Sequence, residues 1–404
     1  MNKYIVPKIR FKGFNDFYYK TTFNKFYNKG KSGGTPSTKN KDFYNGEISF
    51  LSIKDVTNQG KYIFQTEKTI TKKGLKNSSA WLVPKNSLIY SIYASVGFPT
   101  INKIPLATSQ AFFSMEINNL YFSTEYLYYL LLKFKKKELN KFIIKQTQPN
   151  LSKEIINQFI FKIPSLQEQT KIANFFTIID RKIELIKEQL SLLEKQKQYY
   201  LNNMFANEKS YPKIRFKGFN DEWKSKKIKE LGNIKTGKTP STKNEKNWLN
   251  DVLWITIPDM TKKYLTNSKK KISLMASKKN PIVKEKSILF SCIGTIGNIG
   301  ITTTITSFNQ QINSISSIKD GVEYVYYLFQ YNTEKIKSYS SAQTLPMINK
   351  NYFENIEIFV SLNYKEQTKI ANFFSIIDRK IELIKEQLSL LEKQKQYYLN
   401  NMFI

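Results

Sequence analysis

The sequence predicts an α+β protein built twice over: two related globular domains, each followed by the same long helix. Three observations predict this. A 38-residue stretch occurs twice with a single change. Shorter motifs recur in the same order ahead of each copy. The positive charge lies almost wholly outside the repeated stretch.

The repeated stretch comes first. Residues 168–205 read EQTKIANFFTIIDRKIELIKEQLSLLEKQKQYYLNNMF, and residues 366–403 repeat them with Ser375 in place of Thr177. Neither copy holds Gly or Pro, and Leu, Ile, Glu, Lys and Gln dominate, so each is predicted to be one helix. Fully helical, each copy spans roughly 57 Å at ~1.5 Å per residue. Ile179, Ile183, Ile186, Leu190, Leu193, Tyr200 and Met204 fall on alternating four- and three-residue steps, with Lys197 in the one gap. Ile377, Ile381, Ile384, Leu388, Leu391, Lys395, Tyr398 and Met402 form the same seam in the second copy. A heptad seam calls for a helical partner. Ser165 and Glu168 have capping-box spacing just after Pro164.

Composition narrows the function. A chain of 404 residues accommodates two or three domains. Cys292 is the only cysteine, which excludes an internal disulfide and a cysteine zinc site. Histidine is absent, which removes the commonest general base and metal ligand. The N-terminal residues lack the apolar core of a signal peptide, and no run of about 18 apolar residues occurs, so a cytoplasmic protein is expected. The net charge is +32 and the pI about 9.7, in the range of nucleic-acid binders. An anionic membrane surface, a ribosomal-type solubility bias and a low-GC codon bias toward Lys and Asn are the competing explanations of that charge.

The shorter motifs define the domains. PKIRFKGFND occurs at 7–16 and again at 212–221. TPSTKN occurs at 35–40 and at 239–244. Ser87–Ser91 is echoed by Ser287–Ser291, and Tyr126–Leu130 by Tyr324–Leu328. These repeats predict a first domain over 1–164, a helix segment over 165–206, a second domain over 207–362 and a second helix segment over 363–404. Residues 1–167 carry 26 Lys or Arg against 9 Asp or Glu, a net +17, and residues 206–365 carry 26 against 13, a net +13. Each helix copy carries six against five. The domains are therefore expected to touch an anionic partner, and the near-neutral helices to touch protein. Within the domains, short β-type runs at 48–53, 87–95, 252–257 and 287–293 sit between polar turn clusters. Helices are predicted over 123–139 and 322–339.

No catalytic constellation emerges. Gly232–Thr239 reads GNIKTGKT and fits the P-loop spacing, but Pro240 and a polar turn follow where a helix is required. Pro258-Asp259 opens a nuclease-like pattern that Glu285-Lys286-Ser287 fails to complete. Gly294–Gly300 lacks dinucleotide-binding spacing, and no Pro-Pro dipeptide of an adenine methyltransferase motif occurs. No metal, cofactor or catalytic residue is predicted. In the GGTPSTKN and GKTPSTKN loops, glycine permits close backbone approach to a phosphate, while hydroxyls and lysine supply donors. An ordinary turn with Pro fixing the backbone is the plain alternative. The runs 133–137 and 269–271 are candidate phosphate stripes or solvated faces.

The full pattern resembles the specificity subunit of type I restriction–modification enzymes. The resemblance rests on GGTPS and GKTPS early in each domain, on Gly294-Thr295-Ile296-Gly297 with Asn309-Gln310, and on Glu168-Gln169 and Glu366-Gln367 leading into the long helices. It covers essentially the whole chain. The first domain departs from it, with Ala94-Ser95-Val96-Gly97 at the matching position, and the second has Phe359–Leu362 in place of the lead-in Ile163–Leu166. The resemblance implies two target-recognition domains, each reading half of a split DNA sequence. It implies helices that pair as an antiparallel coiled coil with pseudo-twofold symmetry, dock two modification (methyltransferase) subunits and, through them, restriction subunits. The partner is then double-stranded DNA. The candidate contacts are Thr35, Ser37, Lys39 and Asn40, with Thr239, Ser241, Lys243 and Asn244, followed by Tyr93, Gln110, Asn309 and Gln310. A DNA-binding regulator without methyltransferase partners is the alternative. A stand-alone enzyme and a purely structural scaffold fit the motifs and the charge less well.

Overall fold

The computed structural model describes residues 6–93, 96–135, 139, 151–206, 211–341 and 346–404. The chain forms two compact units. One comprises Met1–Lys187 with Glu386–Ile404, the other Glu188–Lys385. Each unit takes one globular domain and part of both long helices.

In the first unit the strands are β1 (Tyr19–Thr22), β2 (Tyr27–Ser32), β3 (Tyr44–Leu51), β4 (Tyr62–Ile63), β5 (Lys68–Ile70), β6 (Leu88–Ser91), β7 (Pro99–Asn102), β8 (Ala107–Thr108), β9 (Phe112–Ile117) and β10 (Ile160–Ile163). Among them run helices α1 (Ile53–Gln59), α2 (Lys72–Lys76), α3 (Thr124–Phe134) and α4 (Lys153–Asn157), followed by the long α5 (Leu166–Asn203). A five-stranded sheet has the order β2-β9-β6-β7-β4, a three-stranded sheet the order β5-β3-β8, and β1 pairs with β10. The central strand β6 is buried along its whole length, because α3 covers one face and the second sheet the other.

The second unit repeats this plan. Its strands are β11 (Lys224–Lys227), β12 (Asn233–Thr236), β13 (Val252–Ile255), β14 (Tyr264–Leu265), β15 (Lys270–Ile272), β16 (Ile282–Val283), β17 (Ile288–Ser291), β18 (Ile299–Thr302), β19 (Thr306–Phe308), β20 (Ile312–Ser316) and β21 (Glu357–Val360). Its helices are α6 (Ile228–Leu231), α7 (Leu274–Ser277), α8 (Val322–Ser338), α9 (Lys350–Asn355) and α10 (Tyr364–Met402). The sheets are β12-β20-β17-β18-β14, β15-β13-β19-β16 and β11-β21. The fourth strand β16 stands where the first unit has only the bridge between Val83 and Leu106.

The strand expected over 48–53 ends at Leu51. Ser52 accepts from the Asp55 amide at 3.3 Å while Asp55 accepts from the Ser52 amide at 2.8 Å, a capping box that opens α1. Thr256 and Asp259 close the β13 strand in the same way. The carboxylate of Asp259 is thus consumed by Thr256 and the Lys269 amide, which removes it from the nuclease-like pattern. Gly232–Thr239 forms β12 and the loop after it, not a strand-to-helix P-loop. Gly97 and Gly297 close the β6–β7 and β17–β18 hairpins at φ +85° and +100°, a conformation that side chains with a Cβ rarely adopt. Ala94, Ser95, Lys136 and Lys137, and the end of the helix expected over 123–139, lie outside the described residues apart from Leu139.

Within each unit the long helices run antiparallel. In the first, Asp180 pairs with Lys395 at 2.5 Å and Lys187 with Glu392 at 2.8 Å, so one helix ascends as the other descends. In the second, Lys197 pairs with Asp378 and Glu194 with Lys385, both at 2.7 Å. Ile179, Ile183, Ile186 and Ile377 are buried in the seam, while Leu190, Leu193, Ile381, Ile384, Leu388 and Leu391 are half-buried. The helix ends enter the domain cores. Leu399, Met402 and Phe403 complete the first core, with Phe403 stacked on Tyr126, and Leu201, Met204 and Phe205 complete the second. No helix among the described residues is long and apolar enough to cross a membrane.

Candidate nucleic-acid interface

The start of each long helix is clamped to its domain. Arg10, from the PKIRFKGFND repeat, donates to both carboxylate oxygens of buried Glu168 at 2.8 and 2.7 Å. Arg215 holds Glu366 in the same two-pronged manner, joined by the Trp223 indole and the Ser361 hydroxyl. A bidentate guanidinium suits a carboxylate that must be buried. Hydrogen bonding to Glu168 raises the Arg10 pKa. Glu168 therefore serves Arg10 and Tyr18 in place of the capping box expected with Ser165. The next residue is also fixed: Gln169 accepts from the Ser123 amide and donates to Tyr121 and Pro164 carbonyls. Gln367 repeats this toward Gly321, Asp320 and Ser361.

The TPSTKN loops are built from the same local rule in both domains. Gly33 donates to the Phe112 carbonyl, and Gly237 to that of Ile312. A Cβ on Gly33 would lie 2.1 Å from the Thr108 carbonyl oxygen, and one on Gly237 would lie 2.0 Å from that of Asn309. The close approach expected toward a phosphate is therefore made to the chain's own strand. This seating brings the loop to the glutamines: Thr35 Oγ1 donates to Gln110 Oε1, and Thr239 Oγ1 to Gln310 Oε1. Thr35, Ser37, Lys39, Gln110, Ser241, Lys243, Asn244 and Gln310 are exposed, with Thr239 and Asn40 half-buried. Asn40 and Asn244 cap the short turns after the loops by accepting from the Asp42 and Lys246 amides. Asn309 is buried and tied twice to Gln311, whereas Tyr93 is exposed.

Each loop sits beside a short helix bearing further lysines or flanked by them. The Tyr44 hydroxyl donates to the Pro36 carbonyl, and the turn before Tyr44 packs on α2 through Asp42, Thr71 and Lys73. Lys39, Lys41, Lys72, Lys73 and Lys76 thus share one neighbourhood. In the second domain Trp248 and Asn247 donate to the Ser241 carbonyl, and Ser273 ties the turn to α7, near Lys243, Lys246, Lys278 and Lys279. Such a lysine surface with exposed hydroxyls and amides can hold phosphates and present donors to base edges. The run at 133–137 differs. Lys133 is buried and donates to the Phe403 carbonyl, and Lys135 lies over the Phe98 ring with its pKa lowered to about 8 by burial. Lys269 and Lys270 are exposed.

A polar network, found twice, joins domain to helices. Lys61 Nζ donates to the Tyr129 hydroxyl and to Thr177, both at 2.8 Å, and Tyr129 donates to Asp180 at 2.6 Å. Asp180 in turn pairs with Lys395. In the second unit Lys263 bonds Tyr327 and Ser375, Tyr327 donates to Asp378 at 2.7 Å, and Asp378 pairs with Lys197. The single change between the helix copies, Thr177 to Ser375, keeps the hydroxyl that the lysine needs. Reading the sequence for seams and loops missed this network. Its signal was the retention of Tyr, Asp, Lys and a hydroxyl at matching positions in both halves.

The long helices also carry an outward stripe. Ile178, Leu185, Leu192 and Tyr199 follow one another at seven-residue steps and are exposed, and Ile376, Leu383, Leu390 and Tyr397 repeat them. Ile178 and Leu192 are 69% and 71% exposed, so the stripe is distinct from the buried seam.

Comparison with known proteins agrees with this architecture. The family model for the type I restriction modification DNA specificity domain matches residues 20–195 and again 220–393. The MjaIX specificity subunit of a type I restriction enzyme from Methanocaldococcus jannaschii is 26% identical over 385 residues, covering 89% of this chain and 87% of its own. The HindI specificity subunit from Haemophilus influenzae is 32% identical over 162 residues, covering 38% of this chain and 35% of its own. The crystal structure of a type I restriction-modification S subunit from M. genitalium shares the fold, with a TM-score of 0.64 at 15% identity over 99% of both chains. The chain belongs to the type I restriction–modification DNA specificity family. It is a specificity subunit with two target-recognition domains.

Proposed function

We propose that this chain selects the DNA target for a type I restriction–modification complex and catalyses neither methylation nor cleavage itself. The first domain reads one half of a split target and the second domain the other. The paired helices set the unread spacer and dock two modification subunits, and restriction subunits join through that complex. The TPSTKN loops, with Gln110 and Gln310, approach the DNA, and the surrounding lysines hold phosphates.

The doubled and uneven architecture carries this reading. Two diverged basic domains suit two different half-sites, whereas two nearly identical helices suit two copies of one protein partner. The exposed stripes at Ile178–Tyr199 and Ile376–Tyr397 supply that partner with the same apolar surface twice. Co-expression with a type I modification subunit from the same genome, followed by mapping of methylated bases, tests it. A split motif with one methylated base in each half is the expected result. A stable complex that methylates a single continuous motif contradicts the two-reader arrangement. Sequence-specific DNA binding with no complex favours a regulator.

A further inference from the structure

The duplicated network ties three elements through one carboxylate. Asp180 sits on α5; its Oδ1 takes Lys395 of α10 and its Oδ2 takes Tyr129 of the recognition domain. Asp378 sits on α10; its Oδ1 takes Lys197 of α5 and its Oδ2 takes Tyr327. Lys197 and Lys395 occupy the heptad positions where an apolar residue is otherwise expected. A polar residue at such a position stabilises a helix pair less than an apolar one but fixes its register, since a slipped pairing leaves the charge without its partner. The same carboxylate oxygens cannot follow if the domain pivots on the helices, because the tyrosine bond is lost.

We infer that Asp180 and Asp378 are the positioning residues that hold each recognition domain in one register on the helix pair, and that they thereby restrict the target to a single spacer length. This rests on the split-target reading above. Each added base pair moves the half-sites about 3.4 Å apart and turns them by about a tenth of a helical turn. A reader held by that carboxylate as well as by the clamp at the helix start cannot track that change, whereas one released from the carboxylate has more freedom to do so.

The test uses the full chain in its complex with modification subunits and maps methylation for two mild variants. Tyr129→Phe removes the tyrosine bond to Asp180 and keeps the Lys61–Thr177 bond, the Arg10–Glu168 clamp and the helix pair. Lys395→Met removes the helix-to-helix pair and keeps an aliphatic stem in the seam. Both are expected to retain the half-site sequences and to gain methylation at sites with a spacer one base pair longer or shorter. Circular dichroism and complex formation verify folding. Folded variants that keep the single wild-type spacer overturn the inference. Folded variants that lose methylation at every spacer, with half-sites still bound, also overturn it, since a pin that only restricts spacing does not silence the reader. Failure of the underlying reading is distinct, because the wild-type complex then yields no split motif at all.

Discussion

Lys61 is where burial and pairing compete at a single side chain. Its ammonium lies 4.5–5.4 Å from the ring centres of Tyr62, Tyr128 and Tyr129, and burial lowers its pKa to about 8, opposed mainly by Asp180 and Glu125. Lys395 and Lys103 add to the lowering. The second domain arranges its charges differently. There Glu323 pairs with Lys263 at 2.5 Å, whereas the matching Glu125 pairs with Lys103 at 3.7 Å. A lysine in an unfolded chain titrates near 10.5. Below about pH 8 both states hold the proton, and the fold carries the full cost of a buried cation. Between about 8 and 10.5 the unfolded chain holds more protons, so stability due to Lys61 rises with pH. Wild type is therefore expected to gain on Lys61→Met in thermal melts between pH 8 and pH 10. A difference that stays flat or falls contradicts the assignment. The sequence did not announce this residue, because a lone lysine in a loop carries no periodic signal. Among the expected contacts, Thr35, Ser37 and Lys39 stand exposed, while Asn309, of the same polar class, is buried by a local turn that composition does not encode.

The elements themselves were more legible. A seven-residue period without Gly or Pro leaves a long chain segment few alternatives to a helix, and α5 and α10 run within the repeated stretches to within a few residues. The short helices α1, α2 and α7 escaped, because four to seven residues hold too little periodicity and their beginnings rest on a single Ser or Thr. At this scale the two apolar stripes of a long helix separate by mutation. Ile183 and Ile186 are buried in the seam, where truncation of one to Ala costs about 2–5 kcal/mol and a carboxylate costs more. Ile183→Asp with Ile186→Asp is expected to lower the melting temperature and abolish assembly with modification subunits. Ile178→Asp with Leu185→Asp changes only exposed positions. That variant is expected to melt like wild type and to lose co-purification of the modification subunit. Undiminished co-purification removes the stripe from the docking surface.

For the molecule as a whole, duplication separates what varies from what stays fixed. The recognition domains keep one topology and differ in charge and in detail, as at β16 and at the Glu125 and Glu323 pairs. The helices keep nearly every residue, and each supplies seam residues, an Asp–Lys pair and an exposed apolar stripe. Replacing residues 207–362 with another family domain is therefore expected to change one half of the methylated motif and leave the other half and the spacer as they were. A heptad added to both helices tests the complementary property. Seven residues lengthen a helix by about 10 Å at ~1.5 Å per residue, equivalent to about three base pairs at ~3.4 Å each. The heptad preserves the seam and places an insertion between the pins without altering either one. The methylated motif of that variant is expected to keep both half-sites and to lengthen its spacer by about three base pairs. An unchanged spacer in a folded, active complex means that something other than the helices measures the distance.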